Sequence, residues 1–418
     1  MKLIKNLSYC ISPLIIVLFN ILIIFEPNLV IDSAKEGLLL WFNKVIPSIF
    51  PFLVGTNLLI QLGFIDFLGT LLENFMKKTF NVSGCGAFAL ILGMFSGYPV
   101  GAKITASLRE SNKITQVESQ RLVSFTNNSG PLFIIGTVGL GMFNNINIGY
   151  FILIIHYLSA ITLGIIFKYY KYNKYNTYDN TISLNKAFMN LKKARLKTNK
   201  KFGEILNDSI KNSLETIATI GGFIIIFSVI GKILENSNIF NNITEYIFSN
   251  NEYKTIISNF SNSFFVGIVE ITNGINSISK VYANNPSNFD YFVISVVLAC
   301  GLVSFSGLSI LAQTISFISK TDIDIKIYIL SKIMHSGISM MYSILLIPVI
   351  KNIFLTSELN ATATFNINNS SNISYFNDFI LNPLLIFAFG LLVLILISLI
   401  LLITSRFKNT NNLDKLNN

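Results

Sequence analysis

The feature that most constrains this chain is a series of apolar stretches of bilayer-spanning length, several of them interrupted by clusters of Gly, Pro, Ser and Asn. A helix needs roughly 20 apolar residues to cross the hydrocarbon core. Within lipid every backbone N–H and C=O must find a partner, so runs of this length fold as bundled helices. A break in such a helix is tolerated only where protein or a water-filled cavity satisfies the freed groups. Broken apolar segments therefore mark candidate sites before any motif is considered. The charge content supports the membrane reading. Only 12% of residues are charged, against roughly 25% in a soluble domain, which is too few to cover a water-facing surface of this size.

The first apolar run, residues 11–25, follows Lys2 and Lys5. It reads as an uncleaved first helix, because Glu26, Pro27 and Asn28 come next where a signal peptide would carry small residues. A second run covers 45–64. Residues 84–102 read GCGAFALILGMFSGYPVGA, too short and too glycine-rich for a plain span. Residues 122–143 hold a polar cluster within an apolar stretch, and 148–167 are continuous. Residues 168–201 then carry ten Lys or Arg and few acids. The positive-inside rule places such a segment in the cytoplasm. The second half shows spans at 210–234, 256–278, 291–318, 327–350 and 379–403, with a short amphipathic piece at 239–248. The loop 356–378 lacks Lys and Arg and is expected outside, whereas Arg406, Lys408 and Lys415 place the C-terminus inside with the N-terminus.

The expected organisation is an N-terminal membrane repeat (1–167), a basic cytoplasmic linker (168–202), a C-terminal membrane repeat (203–350), an extracytoplasmic loop (351–378) and a final transmembrane helix with a cytoplasmic tail (379–418). The duplication rests on one offset. GMFSGYPVGA begins at Gly93 and GIVEITNGIN at Gly267, 174 residues later; Ser124-Phe125-Thr126-Asn127 and Ser304-Phe305-Ser306-Gly307 follow at nearly the same spacing. The fold class expected is all-α: a polytopic membrane protein of two repeats with re-entrant hairpins or broken helices, about eight to ten membrane segments in all.

The breaks supply the candidate site. In Ser96-Gly97-Tyr98-Pro99-Val100-Gly101, Pro99 lacks an N–H and the glycines permit unusual dihedrals, so an unwound tip is expected. A helix restarting near Gly101 would turn its N–H groups and partial positive charge toward the break, and with Lys103 could hold a carboxylate. Asn127, Asn128 and Ser129, before Gly130-Pro131, offer donors and acceptors to a polar substrate. Glu270 lies within FFVGIVEITNGI. A carboxylate at bilayer depth is costly unless paired or hydrated, so it could bind the proton or Na⁺ that drives transport, with Thr272, Asn273 and Gly274 as further ligands. Ser304, Ser306, Gly307, Ser309 and Gln313 make a polar stripe that could equally serve helix packing. His335, with Lys332 and Ser336, reads as structural.

Other classes are not supported. Cys10, Cys85 and Cys300 lie far apart with no CxxC pair, and only His156 and His335 are available, so no disulfide framework or metal site is suggested. No GxSxG, HExxH or phosphate-binding loop occurs, so an enzyme is not expected and no cofactor is implied. The net charge of +10 is gathered between apolar runs and makes no nucleic-acid-binding face. The implied partners are a small-molecule substrate and membrane lipid, with a homo-oligomer left open.

LGMFSGYPVGAKITASL, FTNNSGPLFIIGTVG, ETIATIGGFIIIFSVIG and VEITNGI together resemble the YlbJ family of sporulation integral membrane proteins, over residues 10 to 405. That family carries nucleoside-recognition (Gate) regions. The resemblance implies a transporter needed for spore formation, moving dipicolinic acid across the outer forespore membrane by alternating access, with kinship to concentrative nucleoside carriers. It implies that Ser96 to Gly101, Asn127 to Pro131 and Glu270 to Gly274 line the substrate site. A nucleoside or other small-metabolite carrier of the same fold, or a non-transporting sporulation scaffold, are the alternatives.

Overall fold

The computed structural model describes residues 19–171, 184–198, 200–236, 254–286 and 288–363, with residues 13, 16 and 17. The described residues form helices and no strand. The helix expected at 379–403, the amphipathic piece at 239–248 and the loop beyond residue 363 lie outside them.

Residues 19–25 are helical, and after a bend at Glu26 comes α1 (Pro27–Leu40), whose first position is the proline that a helix N-terminus accommodates. A π-helical turn, Trp41–Val45, leads into α2 (Ile46–Gln61). Gly63, at φ +84°, then turns the chain by 82° into α3 (Phe64–Phe80). The run expected at 45–64 thus ends in a sharp corner, because only glycine adopts that backbone freely. The next four elements are α4 (Gly86–Ser96), α5 (Val100–Glu110), α6 (Gln116–Thr126) and a π-helical segment, Leu132–Met142. They are followed by α7 (Ile146–Phe167), the basic α8 (Leu184–Thr198) and the long α9 (Phe202–Asn236). The second half has α10 (Lys254–Val269), α11 (Ile271–Ala283), α12 (Phe289–Phe305), α13 (Gly307–Ile318) and α14 (Ile325–Ala363). The last helix continues past Ile350, where the loop was expected, since no Gly or Pro stops it between 351 and 363. By length and composition, α7, α9, the α12–α13 pair and α14 can each cross a membrane, and the bent α2–α3 pair adds a fifth candidate.

The two halves share one plan. In each, a helical hairpin (α4–α5; α10–α11) precedes a broken helix (α6 with 132–142; α12–α13) and then a long helix (α7; α14). The hairpin tips fall where the sequence offset of 174 puts them, Ser96 onto Glu270, while the break at Ser306 lies a few residues beyond the place that offset gives it. At the first hairpin a Cβ on Gly93 would touch the Gly101 Cα at 3.0 Å, and in the second a Cβ on Gly267 would lie 3.3 Å from the Gly274 Cα. Each hairpin's arms therefore cross at a glycine pair with no room for a side chain.

The halves are inverted. The base of the first hairpin sits beside the start of α6, where the Ser83 N–H donates to Glu118 at 2.8 Å, and beside the end of α13, where Arg109 forks onto Asp322 at 2.7 and 2.8 Å. The base of the second hairpin sits at the far end of that same broken helix, with Tyr282 against Phe143 at 6.4 Å between centroids. One hairpin thus enters from each side. Inverted repeats with breaks near the midplane are a recurrent transporter architecture. Each repeat packs its own core. Phe80, Phe88, Leu122 and Phe125 centre the first, and Ile275, Ile278, Val296 and Ala299 the second, which also takes in Ile134, Ile148 and Ile152 of the first half.

Candidate functional site

The two hairpin tips open onto one cavity of about 880 Å³. From the first half it is lined by Ser96, Gly97, Tyr98, Ser129 and Gly130. From the second half come Glu270, Thr272, Asn273, Asn276, Ser309 and Gln313. Residues more than 170 positions apart in sequence therefore share one wall. Apolar side chains such as Phe95, Phe133 and Ile224 complete it, the mix of apolar wall and few polar groups that small-molecule sites show.

The first tip forms because α4 ends at Gly97, at φ +82°, and the Tyr98–Pro99 peptide is cis. Gly97 packs against Gly130 of the broken helix, where a Cβ would come within 3.0 Å of the Gly130 nitrogen. The Ser96 hydroxyl is buried, and its oxygen finds no partner among the described residues. The Tyr98 hydroxyl donates to Val303 O at 2.7 Å, crossing to the other half. Pro99 and Gly101 lie behind the tip, with Gly101 pressed on the Thr126–Asn127 backbone. Lys103 does not face the cavity. Its Nζ donates to the Thr216 hydroxyl of α9 at 2.6 Å. One turn into α5, its long side chain reaches sideways to the nearest acceptor.

At the second tip Glu270 is the N-cap of α11, and its Oε2 accepts the Asn273 N–H at 2.8 Å. Thr272 also bonds this carboxylate through its N–H and hydroxyl. An acid at a helix N-terminus gains from both the unpaired N–H groups and the dipole, which is how a buried carboxylate is supported here. Gly274 sits at the arm crossing, against Gly267, away from the cavity.

The remaining candidates form a network behind the first tip. Asn127 donates to the Thr314 hydroxyl at 2.9 Å and the Tyr328 hydroxyl at 2.8 Å. Its carbonyl accepts from Lys332 Nζ at 2.8 Å. Asn128 bonds back to Phe125 O at 2.7 Å. The Ser129 N–H donates to His156 Nε2 at 3.0 Å, and His156 Nδ1 lies 2.9 Å from the Ser304 hydroxyl. The His335 ring stacks on that of His156 with centroids 4.9 Å apart. Ser306, at φ +77°, supplies the break between α12 and α13 and bonds locally to Phe305 O. Backbone groups released by the α6 break are thus satisfied by side chains of α7 and α14, as burial demands.

Sequence reasoning missed the part played by Lys332, His156 and Tyr328. Lys332 is completely buried, and its Nζ stands 5.2 Å from the centroid of the Tyr98 ring. The available signal was spacing. Tyr328, Lys332, His335, Ser339 and Ser343 recur every three or four residues on one face of α14.

A second cavity of about 700 Å³ lies between α3 and α8. It contains neither hairpin tip and neither of the breaks beside them; Lys77 pairs with Glu73 and Lys113 with Asp66 on its wall at 2.7 and 2.8 Å, and Lys186 and Lys193 also line it. Outside the spans, Arg109 holds the Asp322 carboxyl below its ordinary value, and Asp322 in turn raises Arg109.

Comparison with known proteins agrees with this architecture. A family model described as Gate, nucleoside recognition, matches residues 42–168, which contain the first hairpin and the first broken helix. The sporulation integral membrane protein YlbJ of Bacillus subtilis (strain 168) is 33% identical over 329 residues, covering 78% of this chain and 79% of the relative. No solved structure matches. An all-helical body with two oppositely inserted hairpins, together with identity of this extent, makes the chain an integral membrane protein of the YlbJ sporulation family.

Proposed function

We propose that this protein is a secondary transporter of sporulation that moves a small aromatic dicarboxylate, dipicolinate, across the outer forespore membrane by alternating access. The observation that carries the reading is the single cavity bounded by both inverted hairpin tips. A substrate held there touches Ser96 to Tyr98 of one repeat and Thr272 to Asn273 of the other. Rocking one repeat against the other would then open the cavity first to one side and then to the other. About 880 Å³ accommodates a pyridine ring with two carboxylates, within the roughly 300–1,000 Å³ common for small-molecule sites. Ser96, Asn273, Asn276 and Gln313 supply hydrogen-bonding groups. Glu270 is the residue assigned to bind the coupling H⁺ or Na⁺. Both termini and the basic segment 168–202 are assigned to the cytoplasm.

A second reading is favoured by the description of the matching family, nucleoside recognition: the same cavity would carry a nucleoside. Flux into proteoliposomes separates the two. Labelled dipicolinate should enter with the wild-type protein and not with Glu270→Gln, while uridine should not enter. Uridine flux without dipicolinate flux would establish the second reading, and no flux of either would leave a scaffold.

A further inference from the structure

The internal duplication assigns a ligand to the first hairpin tip. The offset that carries Gly93 onto Gly267 carries Ser96 onto Glu270. In the second half that position holds a carboxylate, bonded to the start of α11 at 2.8 Å. In the first half the same position holds only a hydroxyl. Ser96 lines the shared cavity and is 94% buried (6% exposed), and its hydroxyl has no partner among the described residues. The eleven-residue α5, which starts beside it, has no acid in its first turn. No acid of its own first turn therefore offsets its N-terminal partial positive charge. Against the other face of this tip stands Lys332, over the Tyr98 ring. Among the described residues no carboxylate lies within ion-pair distance of it. A hydroxyl donor and a helix start thus adjoin one another where the sister repeat carries its own acid, with a lysine behind the Tyr98 ring.

We propose that the first tip, Ser96 to Tyr98, is a carboxylate subsite, and that one carboxylate of the substrate takes there the place that Glu270 fills in the second repeat. The inference rests on the carrier reading of the same cavity and adds the orientation: one carboxylate at the first tip, the ring along the apolar wall.

The test uses full-length protein in lipid nanodiscs and two probes of one shape, pyridine-2,6-dicarboxylate and the neutral pyridine-2,6-dicarboxamide. Ser96→Glu supplies the acid that the second repeat already has. It should weaken dicarboxylate binding about tenfold or more, the scale of a lost charge-assisted hydrogen bond together with like-charge repulsion. The diamide should be held within about twofold, since it brings no charge to the tip. Ser96→Ala, the gentler change, should weaken the dicarboxylate several-fold and spare the diamide. Equal losses of both probes in both variants would overturn the proposal, as would unchanged dicarboxylate binding in Ser96→Glu. A wild-type protein that binds uridine and not the dicarboxylate removes the substrate reading and the subsite with it. A wild type that binds the dicarboxylate while Ser96→Glu does so equally well removes the subsite alone.

Discussion

Replacing Gly101 with alanine tests whether the first hairpin is seated on the broken helix as tightly as the account requires. A Cβ at Gly101 would lie 2.6 Å from the Thr126 carbonyl carbon and 3.1 Å from the Asn127 nitrogen. Both are backbone atoms at the very break that faces the site, so neither can rotate away. Ordinary contact begins near 3.4 Å, so the carbonyl carbon alone requires hairpin and broken helix to part by about 0.8 Å, and the Thr126 carbonyl oxygen, which is closer still, requires more, in an interior that packs like a crystal. Overpacking of this kind costs about 1–3 kcal/mol. The same substitution at Gly337 meets nothing within 4 Å and should instead gain up to about 1 kcal/mol from helix propensity. Two chemically identical changes should therefore differ by about 1–4 kcal/mol. Thermal unfolding of the purified full-length protein in detergent reads this: Gly101→Ala melts below wild type and Gly337→Ala at or above it. Flux should fall in Gly101→Ala, because the shift also moves Ser96 to Tyr98. Equal melting temperatures for the two variants would refute the close seating.

Lys332→Met should abolish discrimination between the dicarboxylate and its diamide, whereas Lys103→Met, whose Nζ reaches Thr216 rather than the cavity, should preserve it; binding of the two probes checks both. His156→Phe should destabilise the protein by about 1–3 kcal/mol, because it strands the buried Ser129 N–H and Ser304 hydroxyl that bond the ring at 3.0 and 2.9 Å; chemical or thermal denaturation measures it. For the Arg109–Asp322 pair, the folded carboxyl sits below the ordinary value of 3.8. Its contribution is then fully present above that pH and lost as pH falls through the lower folded value. Asp322→Asn should lower the melting temperature at pH 7, less so at high salt, and make little difference well below pH 3.8; an effect that persists undiminished in strong acid would contradict the pairing.

The breaks were legible because their causes are local. Glycine or proline grouped with one another or with Ser and Asn inside an apolar run unwinds a helix, so Gly97-Tyr98-Pro99, Asn127 to Pro131 and Ser306-Gly307 are breaks in the fold as in the sequence, whereas the isolated Pro51 and Gly337 leave their helices continuous. The 174-residue offset was legible for the same reason, since each hairpin needs a glycine where its arms cross. What sequence spacing does not encode is which polar residues meet. Lys103 looked like the cation of the site because it lies two residues beyond Gly101, yet a helix turn carries it to Thr216. Lys332 is 205 residues from Asn127, and only folding sets it on the Asn127 carbonyl. Asn127 and Asn128 read as substrate ligands; in the fold their side-chain NH2 groups donate to Thr314, Tyr328 and Phe125, while their side-chain oxygens have no partner among the described residues. Nor did the sequence disclose that the repeats are inverted, which becomes plain only once Tyr282 is found beside Phe143.

The most direct measurement is an electron cryo-microscopy map of the full-length protein with saturating pyridine-2,6-dicarboxylate. The account predicts ligand density in the cavity shared by the repeats, one carboxylate beside Ser96 and the ring between Tyr98 and Asn273. Density confined to the charged recess between α3 and α8, with the shared cavity empty, would contradict it.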